Sequence, residues 1–196
     1  MKGVNIFLAD GFEDVEALGT NDVLSRGGVR TKLVAISDDP FVVSSHGITV
    51  GVDNFLSDMD TDGKGTTLKD VMIFPGGMPG ALNLKKSAVV DKAIKSALEN
   101  DILIGAICAA PGVVLSGTGA LCGKNYTCFP GFETDEGKYT SAKVEHDGKL
   151  ITANGPGAAT EFAIEIAAAF CENEIVKSLL QKNLMSLKCL NHKWKN

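Results

Sequence analysis

Cys108 sits where an apolar run meets a helix start, in "LIGAICAAPGVVL" (103–115). A residue at such a strand-to-helix turn is lifted out of the sheet, with free N–H groups of the next helix aimed at it. This is the arrangement of a nucleophile elbow. Helix dipole and amide donors at that place are expected to lower a thiol pKa and favour thiolate. The small neighbours Ala106, Ala109, Ala110 and Gly112 suit a crowded turn that leaves sulfur accessible. Cysteine is equally among the most buried residue types, so the string alone also fits a small core filler. Glu16 adds to the first reading. On a helix it shares an arc with Phe12, Gly19 and Val23, and a carboxyl on a buried arc needs a partner. Desolvation would raise its pKa, and a protonated acid facing sulfur could stabilise thiolate or shuttle a proton. The alternative is that Glu16 reaches solvent at the helix edge, as Glu13 and Asp14 are expected to do. Gly76 and Gly77, in "PGG" after an apolar run, let backbone approach a ligand closely. The amides of Gly77 and Ala109 could then form an oxyanion hole, although glycines also simply make turns. "GPG" at 155–157 is either a helix start or a pocket rim.

Other chemistries lose their usual supports. The chain has no GxGxxG, no GxxxxGK[ST] and no HExxH. Its three histidines, His46, His146 and His192, fall in a hairpin, beside a turn and in the tail, none at a convincing strand end. The five cysteines (Cys108, Cys122, Cys128, Cys171, Cys189) are odd in number, widely spaced and without a CxxC pair. Reduced thiols are therefore expected instead of a disulfide framework or zinc site of ordinary spacing. A net charge of −5 argues against a general nucleic-acid surface. No apolar run approaches the length of a membrane span, and "MKGVNIFLADGFED" is unlike a signal peptide. A soluble, cytoplasmic protein is the expectation.

The elements must position these groups. Apolar strands are predicted over 3–9, 29–37, 71–74 and 102–107. Asp10 with Glu13 resembles a capping box for a helix over 13–26 closed by Gly27-Gly28. Residues 41–52 suggest a hairpin around Ser44-Ser45-His46-Gly47, and 57–69 a polar loop. Ser87 caps a helix to about Glu99, and another covers 109–116. A hairpin turns at Asp147-Gly148 within 143–152. Helices follow over 158–172 and 173–184, then a basic tail. With 196 residues and no repeat or long linker, a single domain over 1–196 is expected, its core about 3–183 and its tail 184–196. Continuous apolar strands alternating with helices indicate an α/β fold whose mostly parallel sheet is covered on both faces. Chemistry in such folds collects at the carboxyl ends of strands, where Asp10, Gly76-Gly77 and Cys108 all fall.

The segments "FLADGFEDVEA", "VMIFPGGMPGALNL", "AICAAPGVVL" and "ITANGPGAATEFA" resemble, in order and spacing, the ThiJ/PfpI superfamily and most closely its small, deglycase-containing branch. The resemblance implies a flavodoxin-like three-layer sandwich and a homodimer. It implies that Cys108 is an oxidation-prone nucleophile, that Glu16 is its protonated partner, and that Gly76, Gly77 and Ala109 face the site. It also implies a glyoxalase that needs no glutathione, or a deglycase, acting on methylglyoxal or glycated protein. Oxidative-stress sensing or a redox-regulated chaperone through the same cysteine is the alternative. No metal and no organic cofactor is implied. Cys128, in "YTCFPGFE" (126–133), stands where several relatives carry a histidine. It is expected to line the substrate pocket or to resolve an oxidised Cys108. His46 stands where relatives often have arginine, and Arg26 matches a basic position near the dimer seam.

Overall fold

The structure, a computed structural model, describes residues 3–59 and 71–171 together with Lys182. The helix expected over 173–184, the tail and most of the loop at 57–69 lie outside these residues. Eleven strands are described: β1 (Val4–Leu8), β2 (Thr31–Ala35), β3 (Phe41–Val43), β4 (Thr49–Gly51), β5 (Asn54–Phe55), β6 (Val71–Phe74), β7 (Ile104–Ile107), β8 (Asn125–Tyr126), β9 (Lys138–Tyr139), β10 (Val144–Asp147) and β11 (Leu150–Ala153). The helices are α1 (Thr20–Arg26), α2 (Gly80–Lys86), α3 (Ala88–Glu99), α4 (Ala110–Val113) and α5 (Ala159–Cys171).

Seven strands make one sheet in the order β10-β11-β7-β6-β1-β2-β5, and β3–β4 and β8–β9 form two small separate pairs. Every neighbour in the large sheet is parallel except β10 against β11. The apolar runs read from the sequence are continuous because both faces of the sheet are buried. Along β1, Val4, Ile6 and Leu8 enter one half of the core with α1 and α5 residues such as Val23, Leu24, Phe162 and Ile166. Phe7 enters the other half with α2 and α3 residues such as Leu84, Val90 and Ile94. The result is a three-layer α/β sandwich of the flavodoxin-like kind. Among the described residues no helix is long and apolar enough to cross a membrane.

Local sequence explains several boundaries. Ser87 caps α3 as expected, its hydroxyl accepting from the Val90 amide. The antiparallel β3–β4 hairpin turns at His46 and Gly47. The capping box at Asp10 and Glu13 does not form. Asp10 Oδ1 instead accepts from Val43 N–H at 2.9 Å, and Glu13 Oε2 accepts from Ser45 Oγ at 3.2 Å. The hairpin docks on this loop and takes the carboxylates that would have capped the helix. The helix itself opens with a π turn over Val15–Gly19 before becoming α-helical at Thr20. The predicted helix over 109–116 is one turn, Ala110–Val113, after which the chain turns through Gly117 at a φ of 76°.

Candidate active site

Three strand ends converge. β1, β6 and β7 are successive strands of the sheet, and chain order reverses direction on either side of β1, the kind of place where parallel sheets open a crevice. The chain leaving β6 carries Gly76 and Gly77, and the chain leaving β7 carries Cys108. The π turn beyond β1 carries Glu16.

Cys108 adopts a φ of 63°, in the left-handed region that residues with a Cβ rarely enter. Such a conformation costs on the order of 1–3 kcal/mol and persists only when neighbours enforce it. Here the Cys108 N–H donates to the Ala153 carbonyl at 2.9 Å, and its own carbonyl accepts from Phe129 N–H at 2.8 Å. The turn is therefore a strained elbow, and the half-buried sulfur is held in its bend. The amides of Ala109 and Gly77 both donate toward that sulfur.

Glu16 is fully buried, which settles its two sequence readings in favour of the inward one. Its Oε2 accepts from Gly76 N–H at 2.8 Å, while Oε1 is buried with no conventional hydrogen-bond partner among the described residues. Burial raises its pKa to about 7, against the pull of the Gly76 amide and the Cys108 thiol, its hydrogen-bonding neighbour. The cysteine departs from expectation. Burial first, and then the Glu16 carboxylate beside it, push the thiol up to about 12, and the Ala109 and Gly77 amides offset only part of this. A one-turn helix supplies too little dipole to reverse desolvation next to a carboxylate. Below about pH 7 each group carries its own proton; above it the two hold a single proton between them, on sulfur, since losing both would place two anions side by side.

Gly76 is required for space. A Cβ there would lie 2.7 Å from Cys108 Cβ and 2.9 Å from Glu16 Oε2, so only glycine lets the cysteine and the acid meet across this turn. Gly77 is required for conformation, with a φ of 85° and Gly11 O at 2.4 Å from any added Cβ. Gly155, of "GPG", opens a short 3-10 turn over Pro156–Ala158, and Phe129 packs 3.2 Å from where its Cβ would stand.

The structure thus brings Cys108, Glu16, Gly76, Gly77 and Ala109 together. Cys128 is placed differently. It has no exposed surface and packs with Tyr126, Ala106 and Ala109, whereas Cys108 packs against the opposite half of the core. Burial and then the Glu133 charge raise its thiol to about 11. Cys128 therefore has no surface open to a pocket, and the two cysteines fall in opposite halves of the core. All four described cysteines are free. Arg26 pairs with Asp22 at 2.7 Å on the helix surface, and His146 lies exposed on β10.

One grouping was missed from the sequence. Glu13 and Asp14 do not point freely to solvent: their side chains are only 14% and 13% exposed, beneath His46 of the hairpin turn. His46 Nδ1 lies 2.5 Å from Asp14 Oδ2 and 3.7 Å from Glu13 Oε2. The signal was present only as a histidine at a hairpin tip, 32 residues from Asp14.

A doubly covered, mostly parallel sheet with a strained cysteine elbow and a buried glutamate beside it defines a class of α/β proteins with a cysteine at a strand-to-helix turn. The chain belongs to the DJ-1/PfpI family, which it matches over residues 2–169. It is 36% identical over 168 residues to Protein DJ-1 homolog B of Arabidopsis thaliana, covering 84% of this chain but only 37% of that longer protein. It is 34% identical to the glutathione-independent glyoxalase DJR-1.2 of Caenorhabditis elegans, over 86% of this chain and 88% of the relative. The crystal structure of Drosophila melanogaster DJ-1beta superposes with a TM-score of 0.82 at 31% identity, covering 94% of this chain and 97% of that one.

Proposed function

We propose that this chain is a cysteine-dependent glyoxalase that needs no glutathione, converting methylglyoxal and water to lactate. The observation that carries the reading is the fully buried Glu16 carboxyl meeting the Cys108 elbow across Gly76, whose N–H donates to Glu16 Oε2 at 2.8 Å. Moving the shared proton from sulfur to Glu16 makes Cys108 a thiolate without creating a second charge. The thiolate adds to the aldehyde carbon, forming the S–C bond, and the carbonyl electron pair becomes an alkoxide that takes the proton from Glu16. The Gly77 and Ala109 amides, aimed at the sulfur, are the donors this reading assigns to that oxygen. Glu16, now ionised, takes the proton from the former aldehyde carbon to give an enediol and returns it to the adjacent carbon, while the proton of the first hydroxyl passes to the former ketone oxygen. This converts the hemithioacetal to a lactoyl thioester. Water then cleaves the thioester, releasing lactate and restoring the shared proton. The same opening attack on a glycated amine or thiol would constitute deglycation. Relatedness to a worm glyoxalase supports the reaction class.

The thiol-dependent chemistry suits a reducing compartment such as the cytoplasm, and a second copy of the chain is the expected partner. The exposed apolar side chains Val15, Phe41, Val43 and Ile48, all on the hairpin or the helix start, are the face we assign to that contact.

The test is lactate formation from methylglyoxal without glutathione, in freshly reduced wild type and in Cys108→Ser. Wild type produces lactate and the variant produces none above the uncatalysed rate. If reduced wild type produces none, the glyoxalase reading fails. The oxidative-stress sensor then takes its place, with the protonated Glu16 and the two amides holding an oxidised Cys108 anion.

A further inference from the structure

Glu13 and Asp14 close the loop after β1, and His46 reaches down to them from the tip of the β3–β4 hairpin. Glu13 Oε2, Asp14 Oδ2 and His46 Nδ1 all lie within 4.8 Å of one another. Among the described residues, His46 is the one basic side chain paired with either carboxylate. Asp14 Oδ1 is in addition buried with no hydrogen-bond partner among the described residues. Ser45 Oγ stands 3.2 Å from Glu13 Oε2 and 3.3 Å from His46 Nδ1, holding both donor groups toward a common point. None of these groups is used by the Cys108 chemistry.

We propose that Glu13, Asp14 and His46 form a binding site for one divalent cation of the zinc class. One imidazole nitrogen with two carboxylate oxygens is a donor set for borderline first-row metals, whereas calcium and magnesium call for more oxygens. Ligand atoms about 2.0–2.2 Å from a tetrahedral zinc lie roughly 3.4 Å apart. The 3.7 Å between Nδ1 and Oε2 already suits that spacing. The 2.5 Å between Nδ1 and Oδ2 is a hydrogen-bond distance that opens as the cation displaces the bridging proton. The two carboxylates stand on the loop after β1 and the imidazole closes over them from the hairpin tip, leaving the fourth position of a tetrahedral ion to water. Occupancy ties the hairpin tip to the segment that carries Glu16. Glu13 N–H donates to Gly76 O at 3.1 Å, and Gly76 N–H in turn donates to Glu16.

The experiment is calorimetric titration of Zn²⁺ into the full chain, stripped with chelator and kept reduced, in wild type, His46→Arg, Cys108→Ser and His192→Ala. His46→Arg keeps a cation beside the two carboxylates while removing the ligand, and its metal-free melting temperature checks that the fold is intact. Wild type, Cys108→Ser and His192→Ala bind one Zn²⁺ per chain with equal affinity. Loss of an outer-shell partner weakens metal binding about 10–100-fold, and loss of a ligand in His46→Arg weakens it by at least that much. Co²⁺ in the same site absorbs without an intense thiolate band. Absence of binding in wild type overturns the assignment. So does equal affinity in His46→Arg, or a site lost with Cys108 or with His192.

Discussion

The proton on the buried Glu16 carboxyl sets how the stability of this site depends on pH. In the folded chain Glu16 keeps its proton up to about pH 7, while an ordinary glutamate gives it up near 4.5. Between those values the folded state holds more protons than the unfolded one. The stability contributed by the protonated acid is therefore complete below 4.5 and is lost as pH rises through 7. Glu16→Gln is neutral at every pH and escapes that loss. Relative to wild type it gains stability from pH 4.5 upward and levels off above about 7, by up to about 3 kcal/mol. Urea unfolding at a series of pH values measures this, and a difference that stays flat with pH would mean that Glu16 titrates in the folded chain as it does in the unfolded one. The same buried acid explains what was legible at this scale. The arc shared with Phe12 and Val23 announced an inward carboxyl, and the elbow string announced Cys108. The direction of the thiol pKa was not legible, because desolvation and the neighbouring carboxylate depend on a contact 92 positions away in the chain (108 − 16). Likewise, Cys128 reads as a site residue in sequence because it stands where several relatives carry a histidine, and its side chain lies buried in the core.

Elements hold the elbow by close backbone approach more than by side-chain packing. The segment after β8 crosses the strand ends and hydrogen-bonds the Cys108 carbonyl through Phe129. It lies so near α4 that a Cβ on Gly112 would stand 1.6 Å from Phe132 O and 2.8 Å from its carbonyl carbon. Backbone cannot move aside as a flexible side chain can. Gly112→Ala should therefore destabilise the fold by at least the ~1–3 kcal/mol typical of overpacking and release the segment that pins the elbow. Thermal unfolding reads the first effect, and the rate of Cys108 alkylation in the folded protein, faster in the variant, reads the second. An unchanged melting temperature would show that the crossing segment yields freely. This contact was invisible in sequence, where Gly112 reads only as a small residue beside a reactive thiol. The central strands β1, β6 and β7 were visible because both sheet faces are buried and their apolar runs are uninterrupted, whereas β5, β8 and β9, two residues each, are too short to show a pattern. The π turn at Val15–Gly19 and the seven-residue α2 were not, the first because tertiary contacts compete for the capping groups, the second because "PGGMPG" reads as a turn.

At the scale of the whole molecule, the apolar face of the hairpin is unexplained by a lone chain. Phe41 and Val43 are two residues apart on β3, so they project from the same side of it, and both are exposed. Ile48 continues the face beyond the turn, and Val15 lies one position from Asp14, which meets His46 at that turn. A cluster of this kind is a mark of an interaction surface, whereas single exposed apolar residues are ordinary. Because the face adjoins the π turn that carries Glu16, its burial by a second copy would stiffen the acid's supports as well as join two chains. The expected outcome is that wild type sediments as a dimer at micromolar concentration, while Phe41→Glu/Ile48→Glu sediments as a monomer with unchanged far-UV circular dichroism. Both side chains are outside the core, so the fold has no reason to fail with them. Like charges facing each other across a two-fold seam disfavour association from both sides at once, which makes the double variant a sharp probe. A wild-type monomer, or a variant that remains dimeric, would place the contact elsewhere. If the monomer forms and methylglyoxal turnover falls with it, the seam belongs to the catalytic apparatus through the support it lends to Glu16.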